Sequence, residues 1–167
     1  MLVRKMTSAS ISATLTLLII AACYPAPLYE HPFVNVETYA NSFIGILPIY
    51  MIYIMPVMFL YGSTTSALTE KMTSLLNIPY KSVFAWLLHS AFGVLFSAVL
   101  IFVIIDEAVS VFAIWSIVTI LAASLYYVTD MWLYTRYDNM SLPLSCVLIS
   151  LLTPPSLFIL SLAALHI

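Results

Sequence analysis

The chain has 167 residues, of which 63% are apolar and only 7% charged, with a formal net charge of −2 and a mean hydropathy of +1.10. An ordinary soluble domain carries about 25% charged residues, so a water-soluble fold is excluded for want of charge to cover its surface. The acidic balance and the lack of any basic run argue against nucleic acid as a partner, and no polar stretch reaches the roughly 50 residues of a separate soluble domain.

The partner that such a composition requires is the lipid bilayer. Lipid offers backbone groups no hydrogen bonds, so a chain that crosses it must form helices or a closed barrel. The apolar runs here are about twice the length of a barrel strand and do not alternate in polarity. An all-α, polytopic transmembrane helical bundle of about five spans is therefore expected, forming a single membrane domain over 1–167. The spans fall at 7–24, 43–62, 83–105, 108–128 and 142–165.

The first span is the least hydrophobic, with Ser8, Ser10, Ser12, Thr14 and Thr16 preceding the run Leu17 to Ile20. Arg4 and Lys5, this apolar run, and then Ile20-Ala21-Ala22-Cys23 resemble a bacterial lipoprotein signal, which would be cleaved before Cys23 and acylated on its thiol. The expectation is instead a retained first helix, because four further spans already anchor the chain; intact mass separates the two. The loop from Tyr24 to Asn41 holds three prolines and three tyrosines, a composition suited to the headgroup level.

Beyond the second span, Leu68, Met72, Leu75 and Leu76 recur at helical spacing opposite Glu70, Lys71 and Thr73. This pattern fits a short amphipathic helix on the membrane surface or a continuation of the second span. In the third span His89 stands alone as an ionisable group well inside the apolar run, which by default marks a functional candidate. Gly93 and Ser97 follow at four and eight residues, on the same helical face. The stripe His89, Gly93 and Ser97 is a possible intramembrane polar site, although packing against another helix is the expected role. Ser116, Thr119 and Ala123 form a matching small-residue stripe on the fourth span.

Asp106 and Glu107 alone link the third and fourth spans, which makes these helices an antiparallel hairpin. Asp130, Arg136 and Asp138 read as interfacial charges flanked by Trp132, Tyr134 and Tyr137. In the last span the adjacent Pro154 and Pro155 remove two backbone donors, so the helix should kink or break near Thr153 unless neighbours satisfy the freed carbonyls.

Lysine and arginine concentrate in cytoplasmic loops. Arg4, Lys5, Lys71, Lys81 and Arg136 all fall on one side of a five-span layout that has the N-terminus inside and the C-terminus outside. The same layout gathers Glu30, His31, Glu37, Asp106, Glu107 and His166 on the outer side, as a solvated acidic face. Cys23 and Cys146 lie in apolar segments without metal-site spacing. No metal, cofactor or catalytic residue is expected, since no HExxH helix, glycine-rich phosphate loop or Ser-His-Asp set is present.

The stretch MFLYGSTTSALTEKM, Met58 to Met72, together with the five-cation layout, resembles small multi-pass membrane proteins of Bacillus-type Gram-positive bacteria. The resemblance implies a cell-membrane location but no activity and no functional residues. The expected function is non-enzymatic: a plasma-membrane protein acting through helix or surface contacts, as an accessory or regulatory subunit or a protective, immunity-type protein, in a homo-oligomer or with a membrane partner protein. The alternative is a small oligomeric transporter or channel subunit with His89 in its path.

Overall fold

A computed structural model of the chain describes residues 2–25, 36–76, 80–101, 109–137 and 142–164. Among these residues the protein is all helical. The elements are α1 (Leu2–Cys23), α2 (Val36–Val57), a π-helical segment (Met58–Gly62), α3 (Ser63–Leu75), α4 (Lys81–Val99), α5 (Val109–Tyr137) and α6 (Leu144–Ala164). Five helical stretches are long and apolar enough to cross a membrane, the second running without a break from Val36 to Leu75. The Asp106–Glu107 link and the group formed by Glu30, His31 and His166 lie outside the described residues, while Glu37 is exposed in the first turn of α2.

The serine- and threonine-rich first span is the central helix. α1 packs against α2, the π segment, α3, α5 and α6, and buries Ser8, Ser10, Ser12, Thr14 and Thr16. This position resolves the oddity of its composition, because its hydroxyl-bearing side chains face other helices while Leu15 and Ile19 remain exposed. Ser12 donates to the Ser8 carbonyl at 2.6 Å and Thr14 to the Ser10 carbonyl at 2.8 Å, so these hydroxyls are satisfied within their own helix. Their small volume lets neighbours approach closely, which is how helices associate where lipid removes the hydrophobic drive. Further along, Leu17 and Ala21 pack with Ile46, Leu47 and Met51 of α2.

α3 continues the second span rather than lying as a separate surface helix. The 40-residue stretch would measure about 60 Å at 1.5 Å per residue, twice a hydrocarbon core of about 30 Å, so α3 extends past the level where α1 begins. The π segment interrupts it just after Pro56, whose missing N–H already weakens the helical ladder. The polar side of α3 turns inward, burying Thr65, Ser66 and Thr69, while Leu68, Met72, Leu75 and Leu76 are exposed.

α6 stays helical through Pro154 and Pro155. In a regular helix the N–H of residue 154 would bond the Ser150 carbonyl, and proline has no such donor. The hydroxyl of Ser10 on α1 donates to that carbonyl instead. A neighbour thus satisfies the carbonyl that Pro154 frees. Ser10→Ala strips from this buried carbonyl its only side-chain donor among the described residues and is expected to cost about 1–2 kcal/mol. Thermal unfolding in mild detergent would check this, with Ser12→Ala, which loses only a bond within α1, as the milder control.

Candidate functional site

α4 and α5 form the most extensive helix pair and run antiparallel. Ser97 and Ser116 meet at 3.1 Å through their hydroxyls, the Trp86 indole donates to Ser124 at 3.1 Å, and the Tyr127 hydroxyl donates to the Ser82 carbonyl at 2.8 Å. Between these contacts Gly93 lies directly on the α5 backbone, where an added Cβ would sit 2.8 Å from the Thr119 carbonyl oxygen. His89, Gly93 and Ser97 are all buried on this one face.

His89 Nδ1 is 3.0 Å from the Ala85 carbonyl of its own helix. A carbonyl only accepts, so Nδ1 carries the proton and donates. In the neutral ring this leaves Nε2 as a lone-pair acceptor. Nε2 is buried and has no hydrogen-bond partner among the described residues, as is also true of the Thr69 hydroxyl. The ring lies beside Tyr126 and Tyr127, with centroids at 6.1 and 5.5 Å.

A cluster of charges stands next to His89, built from three helices that are distant in sequence. Asp130 of α5 is its hub. Its Oδ1 accepts from Arg4 Nε at 3.0 Å and from Ser8 at 3.1 Å. Its Oδ2 accepts from Lys5 Nζ at 2.5 Å and from Ser66 at 3.2 Å. Glu70 of α3 closes the group, pairing with the Arg4 guanidinium and, at 3.0 Å, with Lys5. Arg4 lies over the Tyr134 ring, 4.9 Å from its centroid, and Tyr126 donates its hydroxyl to the Lys5 carbonyl at 3.1 Å.

The cluster therefore balances two cations against two carboxylates. Lys5 is only 2% exposed, a burial that only paired and hydrogen-bonded charges sustain. The sequence reading of Asp130 as an interfacial charge differs from this arrangement. α5 runs to Tyr137, about two and a half turns beyond the end read from hydropathy, and carries Asp130 within the bundle. Arg136, by contrast, is exposed, and Asp138 lies outside the described residues.

A cavity of about 570 Å³ opens beside the cluster. Its walls include Arg4, Glu70 and Asp130, with Thr69 and Thr73 from α3, Lys81 and Ser82 at the start of α4, and Tyr127 and Tyr134 of α5. His89 lines its inner end and also borders a smaller void of about 50 Å³ among Met58, Tyr61, Gly62, Gly93, Phe96 and Tyr126. The π segment contributes Met58, Tyr61 and Gly62 to that void. Such single-turn irregularities recur at functional sites.

Because α3, α4 and α5 all present this end of the bundle, Arg4, Lys5, Lys71, Lys81 and Arg136 are gathered there together. Cys23 lies at the opposite end of α1, free and exposed, and Cys146 is free and half-buried. Among the described residues no three His, Cys, Asp or Glu side chains converge on a point. Sequence reasoning singled out His89 but missed the charges beside it, because nothing local to Arg4, Lys5, Glu70 and Asp130 tells that their helices meet. No family model, curated protein or solved structure matches this chain.

Proposed function

We propose that the protein is a non-enzymatic, multi-pass component of the plasma membrane that works by binding at its cation-bearing end, as an accessory or regulatory subunit or a protective, immunity-type protein. The observation that carries this reading is the cavity of about 570 Å³ whose walls include Arg4, Glu70, Lys81 and Asp130. Its volume falls in the roughly 300–1,000 Å³ range of ligand sites, and at His89 it borders a smaller space of about 50 Å³ whose exposed lining is almost wholly apolar. A fixed, charge-neutral wall next to such a cavity suits recognition.

The grouping of all five cations at one end supports a cytoplasmic N-terminus and an external C-terminus by the positive-inside rule. A reporter fused after Ile167 should then be active outside the cell, and cytoplasmic activity would overturn the orientation. The central place of α1 supports its retention, because cleavage before Cys23 would remove Arg4 and Lys5 from the cluster and Ser10 from α6.

Deletion of the gene in its native host should sensitise cells to a membrane-active peptide or another envelope stress. The wild-type chain should restore resistance, and Thr73→Trp, which fills the cavity from α3, should not, at equal membrane abundance. Unchanged susceptibility across a broad panel would count decisively against the reading. The transporter alternative draws support from His89 bordering both the cavity and the void beyond it. It requires solute or proton flux in proteoliposomes that falls in His89→Ala, whereas a packing role gives lower stability and no flux to lose.

A further inference from the structure

The walls of the larger cavity hold many polar side chains, but these are largely turned onto partners, and the surface left facing the space is mostly apolar. Arg4 is held by Glu70 and Asp130. The Thr73 hydroxyl donates to the Thr69 carbonyl and the Tyr127 hydroxyl to the Ser82 carbonyl, both at 2.8 Å. Ala85 and Met131 add apolar groups. Water held there finds few partners, so the space favours an occupant with an apolar body. Its walls come from α1, α3, α4 and α5, and α1 and α4 each pack against both α3 and α5. Such a ring of helices suits a single chain better than the paired chains of a phospholipid.

One charge in the wall is unmatched. Arg4 and Lys5 together balance Glu70 and Asp130, whereas Lys81, the first residue of α4, is exposed and makes no ion pair among the described residues. An occupant that brings one negative charge to Lys81 makes the site neutral. The helix gives the direction of the rest. α4 starts at the end that bears the cations and is long and apolar enough to cross the membrane. The line from exposed Lys81 to buried His89, eight residues or about 12 Å along the axis, therefore leads toward the hydrocarbon. An amphiphile with its anion at Lys81 and its chain toward His89 has the orientation it takes in a bilayer leaflet. We propose that the cavity binds a free fatty acid, with the carboxylate at Lys81 and the alkyl chain along Ala85, Tyr127 and Met131. The proposal names a ligand for the binding reading given above and rests on it.

Full-length protein in mild detergent, at a pH where the acid is ionised, would be titrated with dodecanoate and with dodecanol, and occupancy read by native mass spectrometry. The two share one chain length and differ in charge, and comparing their affinity ratio between protein variants cancels what each loses to the micelle. Lys81→Ala, at an exposed position that does not threaten folding, should lower the acid-to-alcohol ratio about fivefold, the upper range for an exposed ion pair, and 1 M salt should lower it in the wild type by screening. Lys71→Ala removes an exposed cation of α3 outside the cavity wall and should leave the ratio unchanged. Thr73→Trp should weaken acid and alcohol alike by filling the space, while Ser74→Trp, exposed and outside the wall, should weaken neither. Acetate, which has the charge without the chain, should not displace dodecanoate at comparable concentration.

A ratio untouched by Lys81→Ala, an equal fall in Lys71→Ala, or dodecanoate binding that survives Thr73→Trp would overturn the proposal. Displacement by acetate would overturn it too, because the occupant would then be a small soluble anion. If any of these occurs while Thr73→Trp still fails to restore resistance in the deletion strain, the ligand assignment fails and the binding function stands. Fatty-acid binding as expected, with resistance restored by Thr73→Trp, would retain the ligand and remove the function.

Discussion

Asp130→Ala is expected to destabilise the bundle by about 3–5 kcal/mol, the usual cost of removing one partner from a buried ion pair, visible as a lowered Tm of the purified protein in mild detergent. The carboxylate accepts from Arg4, Lys5, Ser8 and Ser66 together, so its loss leaves two cations facing the single charge of Glu70. Glu70 cannot take over. Its side chain is 40% exposed, and solvent screening weakens what an exposed carboxylate can return to a cation as buried as Lys5. Asp130→Asn keeps the shape and some hydrogen bonds but not the charge, and should fall between wild type and Asp130→Ala.

The same cluster predicts a rescue. Lys5→Met alone leaves Asp130 neutralised by Arg4, so it should cost less than Asp130→Ala. Combining Lys5→Met with Asp130→Leu leaves Arg4 paired with Glu70 and removes both deeply buried charges, and apolar replacement of a buried pair is often neutral. The double variant should therefore be more stable than Asp130→Ala. With the single Asp130→Leu variant completing the cycle, its interaction energy measures the coupling directly. Additive losses would show that the two side chains do not neutralise each other.

The number and the all-helical nature of the apolar segments were readable because lipid imposes a length and a backbone-pairing rule on any chain that crosses it. The His89, Gly93, Ser97 stripe was also readable, since a four-residue spacing places side chains on one face whatever that face meets. Asp130 was not. Hydropathy marks where a segment ceases to resemble hydrocarbon, and α5 continues past that point because Arg4 and Lys5, on a helix more than 120 residues earlier, supply the charge that Asp130 needs. Nothing local in the sequence says which helices are neighbours.

α3 shows the complementary difficulty. Its amphipathic spacing is plain in Leu68, Met72, Leu75 and Leu76, but in water such a face would turn toward the protein and in lipid it turns away. Here the polar face lines the bundle and its cavity. The serines and threonines of α1 follow the same logic, since a helix that looks poorly suited to lipid is the one that other helices enclose.

Gly93→Leu is expected to separate α4 from α5, the most extensive contact in the bundle, and to do so more severely than any other single substitution on that face. Even the Cβ of Gly93→Ala would stand 2.8 Å from the Thr119 oxygen and 3.2 Å from its carbonyl carbon. These are backbone atoms that cannot rotate away as a side chain can. Overpacking of this kind costs about 1–3 kcal/mol, against which alanine recovers up to about 1 kcal/mol of helix propensity, so Gly93→Ala should be a net loss. Gly62→Ala provides the contrast, because its Cβ would meet the Tyr126 ring edge at 3.2 Å, a contact that a small ring movement relieves. The separation can be read without relying on stability. A Ser97→Cys/Ser116→Cys pair, whose native hydroxyls lie 3.1 Å apart, should form a disulfide readily in the otherwise wild-type chain, weakly with Gly93→Ala and not at all with Gly93→Leu. If cross-linking persisted undiminished with leucine at this position, Gly93 would not be what sets the distance between the two helices. His89 would then owe its burial against Tyr126 and Tyr127 to some other contact.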